Sequence, residues 1–189
     1  MLYTRKGDTG TTQLLDCQKE KRLSKSGFVF EVLGTLDELN SALGYAKVLS
    51  AKSKNMLVMG TEKVCYQKIL ETFQQNLFCI QAELAGSKVS LTGDHTLYLE
   101  DIIYEVETIL PPIKSFIIPG GDETGAYLDV VRTITRRAER GLVLLRDKKG
   151  RVISETSIAY LNRLGSVLYA LARLANYKKG YFEKKPEYK

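Results

Sequence analysis

Histidine and cysteine are scarce in this chain: one histidine, His95, and three cysteines, Cys17, Cys65 and Cys79, in 189 residues. The cysteines lie far apart without a Cys-x-x-Cys spacing, so neither a disulfide framework nor a zinc site is indicated, and a reducing, intracellular compartment fits best. No histidine-rich metal centre can be built, and His95, beside Gly93-Asp94 in a turn, is expected at the surface. Long apolar runs are missing too: nothing approaches the ~18 uninterrupted apolar residues that span a bilayer. The opening MLYTRKGDTGTT contains no apolar h-region, so a soluble, cytoplasmic protein is expected. Strand-like alternation is nearly absent, and no internal repeat is found.

What is present is basic charge. Lys and Arg number 28 against 22 Asp and Glu, a net charge of +6. That suits a nucleic acid or a small polyanion such as a nucleotide. The eleven tyrosines are scattered and no nucleic-acid-binding motif accompanies them, so nucleic acid is not the expected partner. The length suits one domain, 1–189, with a single core.

Periodicity then predicts five helices. One starts near Thr35, where Thr35 and Glu38 read as a capping box after Gly34, and runs to about Ser50. A second covers Thr61 to about Ala85, ended by Gly86. A third begins near Gly93-Asp94 and stops before Pro111-Pro112. A fourth begins within a few residues of Pro119-Gly120-Gly121, capped by Asp122 or Thr124, and gives way to a turn at Asp147–Gly150. The last is capped at Ser154–Ser157 and has a leucine seam. The expected fold is all-α, an antiparallel five-helix bundle of ferritin-like, up-and-down character. An N-terminal loop (1–27) precedes it, and a charged, mobile tail (178–189) follows.

The fourth helix carries an unusual face. Arg132, Arg136, Glu139 and Arg140 fall at i, i+4, i+7 and i+8, with Arg137 at the flank. Like charges at that spacing repel, so the stripe is either a solvated face or a site for polyphosphate or for a neighbouring subunit's carboxylate. In the N-terminal loop, Gly7, Asp8, Gly10, Thr11 and Thr12 can bring N–H and hydroxyl donors to an anion, or form an ordinary mobile terminus. It is not a Walker A loop, because no Gly-Lys-Ser/Thr follows. Asp37, in a first helical turn, either complements the helix dipole or receives an arginine. Phe116 is either plain core or a ligand contact at a helix mouth. Asn162, inside a leucine-rich helix, either specifies register or holds a ligand; Ser166, Tyr169 and Arg173 continue its polar line.

Taken together, YTRKGDTGTTQL (3–14), EVLGTLDELNSALG (31–44), FIIPGG with RTITRRAERG, and YLNRLGSVLYALARLAN (116–176) resemble the PduO-type ATP:cob(I)alamin adenosyltransferases over almost the whole chain. The resemblance implies a homotrimer with active sites at subunit interfaces. It also implies transfer of the 5′-deoxyadenosyl group of ATP to the cobalt of cob(I)alamin, formed from cob(II)alamin, with Mg2+ assisting the phosphates. By position, Thr4, Gly7, Asp8, Gly10, Thr11 and Lys25 would wrap the triphosphate, Arg136 would hold phosphate oxygens, and Glu139 and Asn162 would place the nucleotide and its metal. Asp37 and Arg132 match a pair that bridges neighbouring subunits, and Phe116 would lie against the lower face of the corrin. A flavin-type reductase and a B12-dependent mutase would be its protein partners. A non-catalytic regulator of the same fold is the alternative. Asp129 stands where the family often has histidine, and Thr135 where it often has cysteine. Tyr181 and Phe182 of the tail would close over the corrin.

Overall fold

The computed structural model describes residues 3–18 and 21–188. Met1, Leu2, Lys19, Glu20 and Lys189, part of the expected loop and tail, lie outside the described residues. Among the described residues the elements run in the order β1 (Thr11–Thr12), β2 (Leu23–Ser24), α1 (Phe28–Ser53), β3 (Met56–Met59), β4 (Glu62–Cys65), α2 (Tyr66–Leu84), α3 (Gly93–Glu107), α4 (Glu123–Lys149) and α5 (Glu155–Lys178).

The first helix begins about two turns before the expected capping box. Thr35 is interior, and its hydroxyl donates to Glu31 O at 2.9 Å rather than capping anything. Gly34 sits within the helix without breaking it. The apolar run Val32, Leu36, Leu39, Leu43, Ala46 and Leu49 is buried on one face, and that burial outweighs the ~1 kcal/mol cost of an interior glycine. At its far end Lys54 adopts φ 52°, and the chain turns into a hairpin.

That hairpin corrects a second expectation. Residues 62–65 form strand β4, paired antiparallel with β3 so that Leu57 faces Val64, and α2 starts only at Tyr66. Leu57 is buried, which anchors the hairpin to the bundle. The fourth helix extends through Asp147–Lys149, in place of the expected turn, and ends at Gly150 with φ 62°. The expected caps at Asp122 and Ser154 are present: Thr124 N donates to Asp122 Oδ2 at 3.0 Å, and Ser157 N to Ser154 Oγ at 3.1 Å. His95 serves as a cap residue, its Nδ1 accepting from Thr92 N at 3.1 Å.

Helix directions follow from which residues meet. Ser53 touches Thr124 while Glu38 pairs with Arg137, so α1 and α4 run antiparallel. Lys47 meets Glu71 and Asn40 O accepts from Gln74, so α1 and α2 do as well. Asn76 bonds Tyr160 and Glu83 bonds Ser157, which orients α2 against α5. Glu100 meets Arg163 midway along α3, and Val106 near its end shares a cleft with Ala170 and Arg173, so α3 and α5 are parallel. The chain therefore alternates up and down through its helices, with α5 central. Leu161, Leu164, Leu168, Leu171 and Leu174 are all fully buried there.

Candidate active site

Between α3 and α4 the chain crosses the bundle as an extended loop and then bends at Gly120 and Gly121, whose φ values of 129° and 124° exclude most side chains. Phe116 in this loop is 79% exposed. It is thus a surface residue at a cleft, not core. The cleft holds about 600 Å³, with Phe116, Ile117, Arg132, Arg136, Ser166 and Tyr169 among its walls. A second cleft of about 290 Å³ lies further along α4, where Arg136, Glu139, Arg140 and Lys148 contribute. Arg136 is common to both.

The arginines differ in how they are satisfied. Arg132 Nε donates to Asp129 Oδ1 at 2.9 Å, and its guanidinium lies 5.7 Å from the Tyr169 ring centre. Arg137 is paired with Glu38 of α1. No hydrogen bond or ion pair engages Arg136 or Arg140 among the described residues. Their charges therefore remain available to an anion, and the apolar wall beside Arg136 lowers the local dielectric that such an anion would meet. Burial holds the Tyr169 phenol above its ordinary value, with Arg173 acting in the opposite sense.

Glu139 and Asn162 are brought together, Asn162 Nδ2 donating to Glu139 Oε1 at 2.9 Å. Arg163 Nη1 donates to Asn162 Oδ1 at 2.9 Å and Arg163 Nε to Glu100 Oε1 at 2.9 Å. This chain of bonds fixes which way the Asn162 amide points.

The N-terminal loop closes on itself. Lys25 Nζ donates to Gly7 O at 3.1 Å, and β1 pairs with β2 so that Thr11 faces Ser24. Arg22 buckles the loop, donating to Thr11 Oγ1 at 2.8 Å, Thr11 O at 2.7 Å and Lys6 O at 2.8 Å. Gly10 has φ 74°; Thr4, Asp8 and Gly10 are exposed and Gly7 and Thr11 half-buried. In the sequence Arg22 is no more than nearby charge, because a bond across eleven residues leaves no local pattern. Below the loop Leu15 N donates to Ala85 O at 2.8 Å, and Asp16 pairs with Arg151 at 2.8 Å.

Within one chain these parts are not united. Among the described residues, no hydrogen bond, ion pair or shared cleft joins the loop around Gly7–Thr11 to Arg132, Arg136 or Phe116. Asp37 is exposed in the third turn of α1 rather than in a first turn, so the helix dipole does not account for it, and within the chain Arg132 pairs with Asp129.

The family profile described as cobalamin adenosyltransferase matches residues 2–175. The chain belongs to the cobalamin adenosyltransferase family. The corrinoid adenosyltransferase PduO of Citrobacter freundii is 37% identical over 179 residues, 91% of this chain and 49% of that protein. The chain thus spans about half the length of that relative. A corrinoid adenosyltransferase of Bacillus subtilis is 38% identical over 184 residues, covering 95% of this chain and 88% of that one. Among solved structures, a phenylalanine-to-alanine variant of a PduO-type ATP:corrinoid adenosyltransferase from Lactobacillus reuteri, complexed with cobalamin and ATP, gives a TM-score of 0.85 at 31% identity, with 100% of both chains covered.

In this cobalamin adenosyltransferase family member the two positions expected to differ from the family pattern, Thr135 and Asp129, are both satisfied within the chain. Thr135 is fully buried and its hydroxyl donates to Val131 O at 2.9 Å, so it is satisfied within its own helix. Asp129 is 8% exposed and supplies Arg132 with a carboxylate from the same chain, one turn away.

Proposed function

We propose that this chain is an ATP:cob(I)alamin adenosyltransferase working as a homotrimer. The observation that carries the reading is Arg136, a guanidinium unpaired among the described residues and set where an apolar cleft bearing Phe116 meets a charged one. An alkyl transfer from a nucleotide to a corrinoid needs that juxtaposition: a flat apolar bed for the macrocycle and, within reach, cations for the departing phosphates.

In this reading Arg136 and Arg140 take phosphate oxygens, Glu139 and Asn162 orient the nucleotide, and Thr4, Gly7, Asp8, Gly10, Thr11 and Lys25 of a neighbouring subunit wrap the triphosphate. Asp37 of that neighbour takes those Arg132 donors that Asp129 leaves over. The electron pair of cobalt(I) forms the bond to C5′ of ATP, the C5′–O bond breaks, and its electron pair leaves with triphosphate. Because cobalt(I) is itself the nucleophile, the protein needs no base; it aligns the two centres and neutralises charge. Phe116 under the corrin excludes a lower axial ligand, which eases the one-electron reduction of cobalt(II) by an external reductase.

Magnesium suits this site only as a passenger on the triphosphate. Among the described residues no cluster of three His, Cys, Asp or Glu could hold an ion, and Mg2+ commonly takes one or two carboxylates, with phosphate and water filling the remaining positions. Of the two carboxylates lining the charged cleft, Asp147 is paired with Arg146, which leaves Glu139 as the one nearer to Arg136 in the helix. A flavin-type reductase, delivery to a B12-dependent mutase, a cytoplasmic setting and the ferritin-like character of the bundle belong to the same reading.

The test is an anaerobic incubation of the protein with chemically reduced cob(I)alamin and ATP, followed by its visible spectrum. Conversion to adenosylcobalamin with release of triphosphate is expected. Binding of both ligands without turnover would favour the non-catalytic regulator instead.

A further inference from the structure

The segment that carries Phe116 is tied at both ends to one helix, α5. At its near end Arg173, 8% exposed, donates from Nη2 to Pro111 O at 3.0 Å. At its far end Asn176, one turn later on α5, donates from Nδ2 to Gly120 O at 3.0 Å, while Asp122 N donates to Asn176 Oδ1 at 2.8 Å. Between Pro111 and Gly120 the segment is largely exposed, and Phe116 rises from its middle.

Room for the Asn176 amide is built into two other elements. A Cβ at Gly121 would stand 2.6 Å from Asn176 Oδ1, and one at Gly125 would stand 2.5 Å from the same atom. The tail joins the same node. Tyr181 N donates to the Asn176 backbone carbonyl at 3.0 Å, Ile118 N donates to Lys184 O at 2.9 Å, and Glu183 takes the Arg173 fork. Residues 181–184, expected as part of an unattached tail, thus lie against 117–121, with Phe182 94% exposed beside them.

We propose that Asn176, with Arg173, is a positioning residue that fixes the height and tilt of Phe116 over the cleft. It touches neither substrate and acts through the Pro119-Gly120-Gly121 bend. The inference rests on the adenosyltransferase reading and assigns the axial-ligand task to a unit of loop, helix end and tail. A phenylalanine on a loop held at only one end would sample many heights, and displacing a ligand from cobalt requires one.

The test compares wild type, Asn176→Asp, Asn176→Ala, Phe116→Ala and the double variant Phe116→Ala/Asn176→Asp. Each is assayed twice: with cob(II)alamin plus a chemical one-electron reductant, and with cob(I)alamin reduced beforehand. Asn176→Asp keeps the acceptor for Asp122 N and sets an oxygen against Gly120 O. Its cobalt(II) route is expected to fall roughly tenfold, the consequence of one lost hydrogen bond and a repulsion. Its pre-reduced route should stay within about twofold, because cobalt(I) carries no lower ligand to exclude. In the Phe116→Ala background the Asn176 change should add nothing further. Equal losses on both routes, additive losses in the double variant, or no loss at all would overturn the proposal. Should Asn176→Ala fail to fold, the near-isosteric Asp variant carries the comparison, normalised by its thermal melt. If Phe116→Ala alone keeps full cobalt(II) turnover, the role given to Phe116 falls first, and the axial-ligand task assigned to Asn176 falls with it, whereas loss of turnover on both routes in wild type would remove the adenosyltransferase reading itself.

Discussion

Arg136 and Arg132 are four residues apart on the same helix and have opposite fates. Asp129 quenches Arg132 from the same chain, whereas Arg136 waits for a partner that the described residues do not supply. Two like charges one turn apart cost only a few tenths of a kcal/mol at the surface, so neutralising one suffices to make the other tolerable. Arg136→Ala should therefore leave thermal stability nearly unchanged and lower turnover roughly 10- to 100-fold, the range for losing charged hydrogen bonds to phosphate. Arg136→Lys keeps the charge, loses the fork and should fall between. Unchanged ATP affinity and rate in Arg136→Ala would remove the phosphate role. Asp129 invites a different measurement. Asp129→Asn keeps an acceptor for Arg132 Nε but not the charge, and should cost about 1–2 kcal/mol in a denaturant titration. Asp129→Ala strands a half-buried guanidinium and should cost on the order of 3 kcal/mol. Equal costs would mean that the acceptor kept by asparagine contributes nothing and that the carboxylate's charge carries the pair.

At the scale of elements, α4 and α5 are legible in the sequence because their signals are local. Asp122 and Ser154 are caps within three residues of the N–H groups they serve, and leucine spacing declares the buried face. The start of α1 is not legible, since Gly27 caps it without a side-chain bond and Gly34 with Thr35 imitates a boundary. The β3–β4 hairpin is hidden because Val64 fits a helical series as well as a strand, and only Leu57 burying against the bundle decides it. For the candidate site, residue types along α4 give away the stripe, and the i,i+3 spacing of Asp129 and Arg132 lies within that same helix, while Arg22 and Asn176 act through bonds to groups that no single-element pattern reveals. Close helix contacts have a consequence that can be measured. Ala in place of Gly125 gains about 1 kcal/mol of helix propensity. Its Cβ, however, would lie 2.8 Å from Ala172 O as well as against Asn176, and backbone cannot step aside. Overpacking of about 1–3 kcal/mol should win, lowering the melting temperature. At Gly34 nothing lies within 4 Å, so the same change should raise stability by about 0.5–1 kcal/mol. A loss there would mark that side of α1, which Asp37 shares, as covered by another copy.

The whole molecule carries two proposed half-sites on one chain that do not meet among the described residues. One is the stripe with Phe116 and Tyr169; the other is the glycine loop buckled by Arg22 and Lys25. A protomer holding both halves without joining them is what a cyclic assembly with heterologous contacts would use, each stripe facing the next chain's loop. Subunit mixing separates this arrangement from a site completed within one chain. Take one variant with a weakened stripe, Arg136→Ala, and another with a weakened loop, Thr11→Ala together with Lys25→Ala, each expected at or below about a tenth of wild-type turnover alone. Co-expressed in equal amounts with different affinity tags and purified through both, they yield only assemblies that contain both variants. If every site takes its stripe from one subunit and its loop from the next, a mixed cyclic trimer has both halves intact at about a third of its interfaces, and activity should return to about that fraction. A site confined to one chain would stay at the residual level of the single variants, because every chain in the mixture carries one defect. Doubly tagged protein with no recovered turnover would therefore place the loop and the stripe of a single protomer in the same pocket.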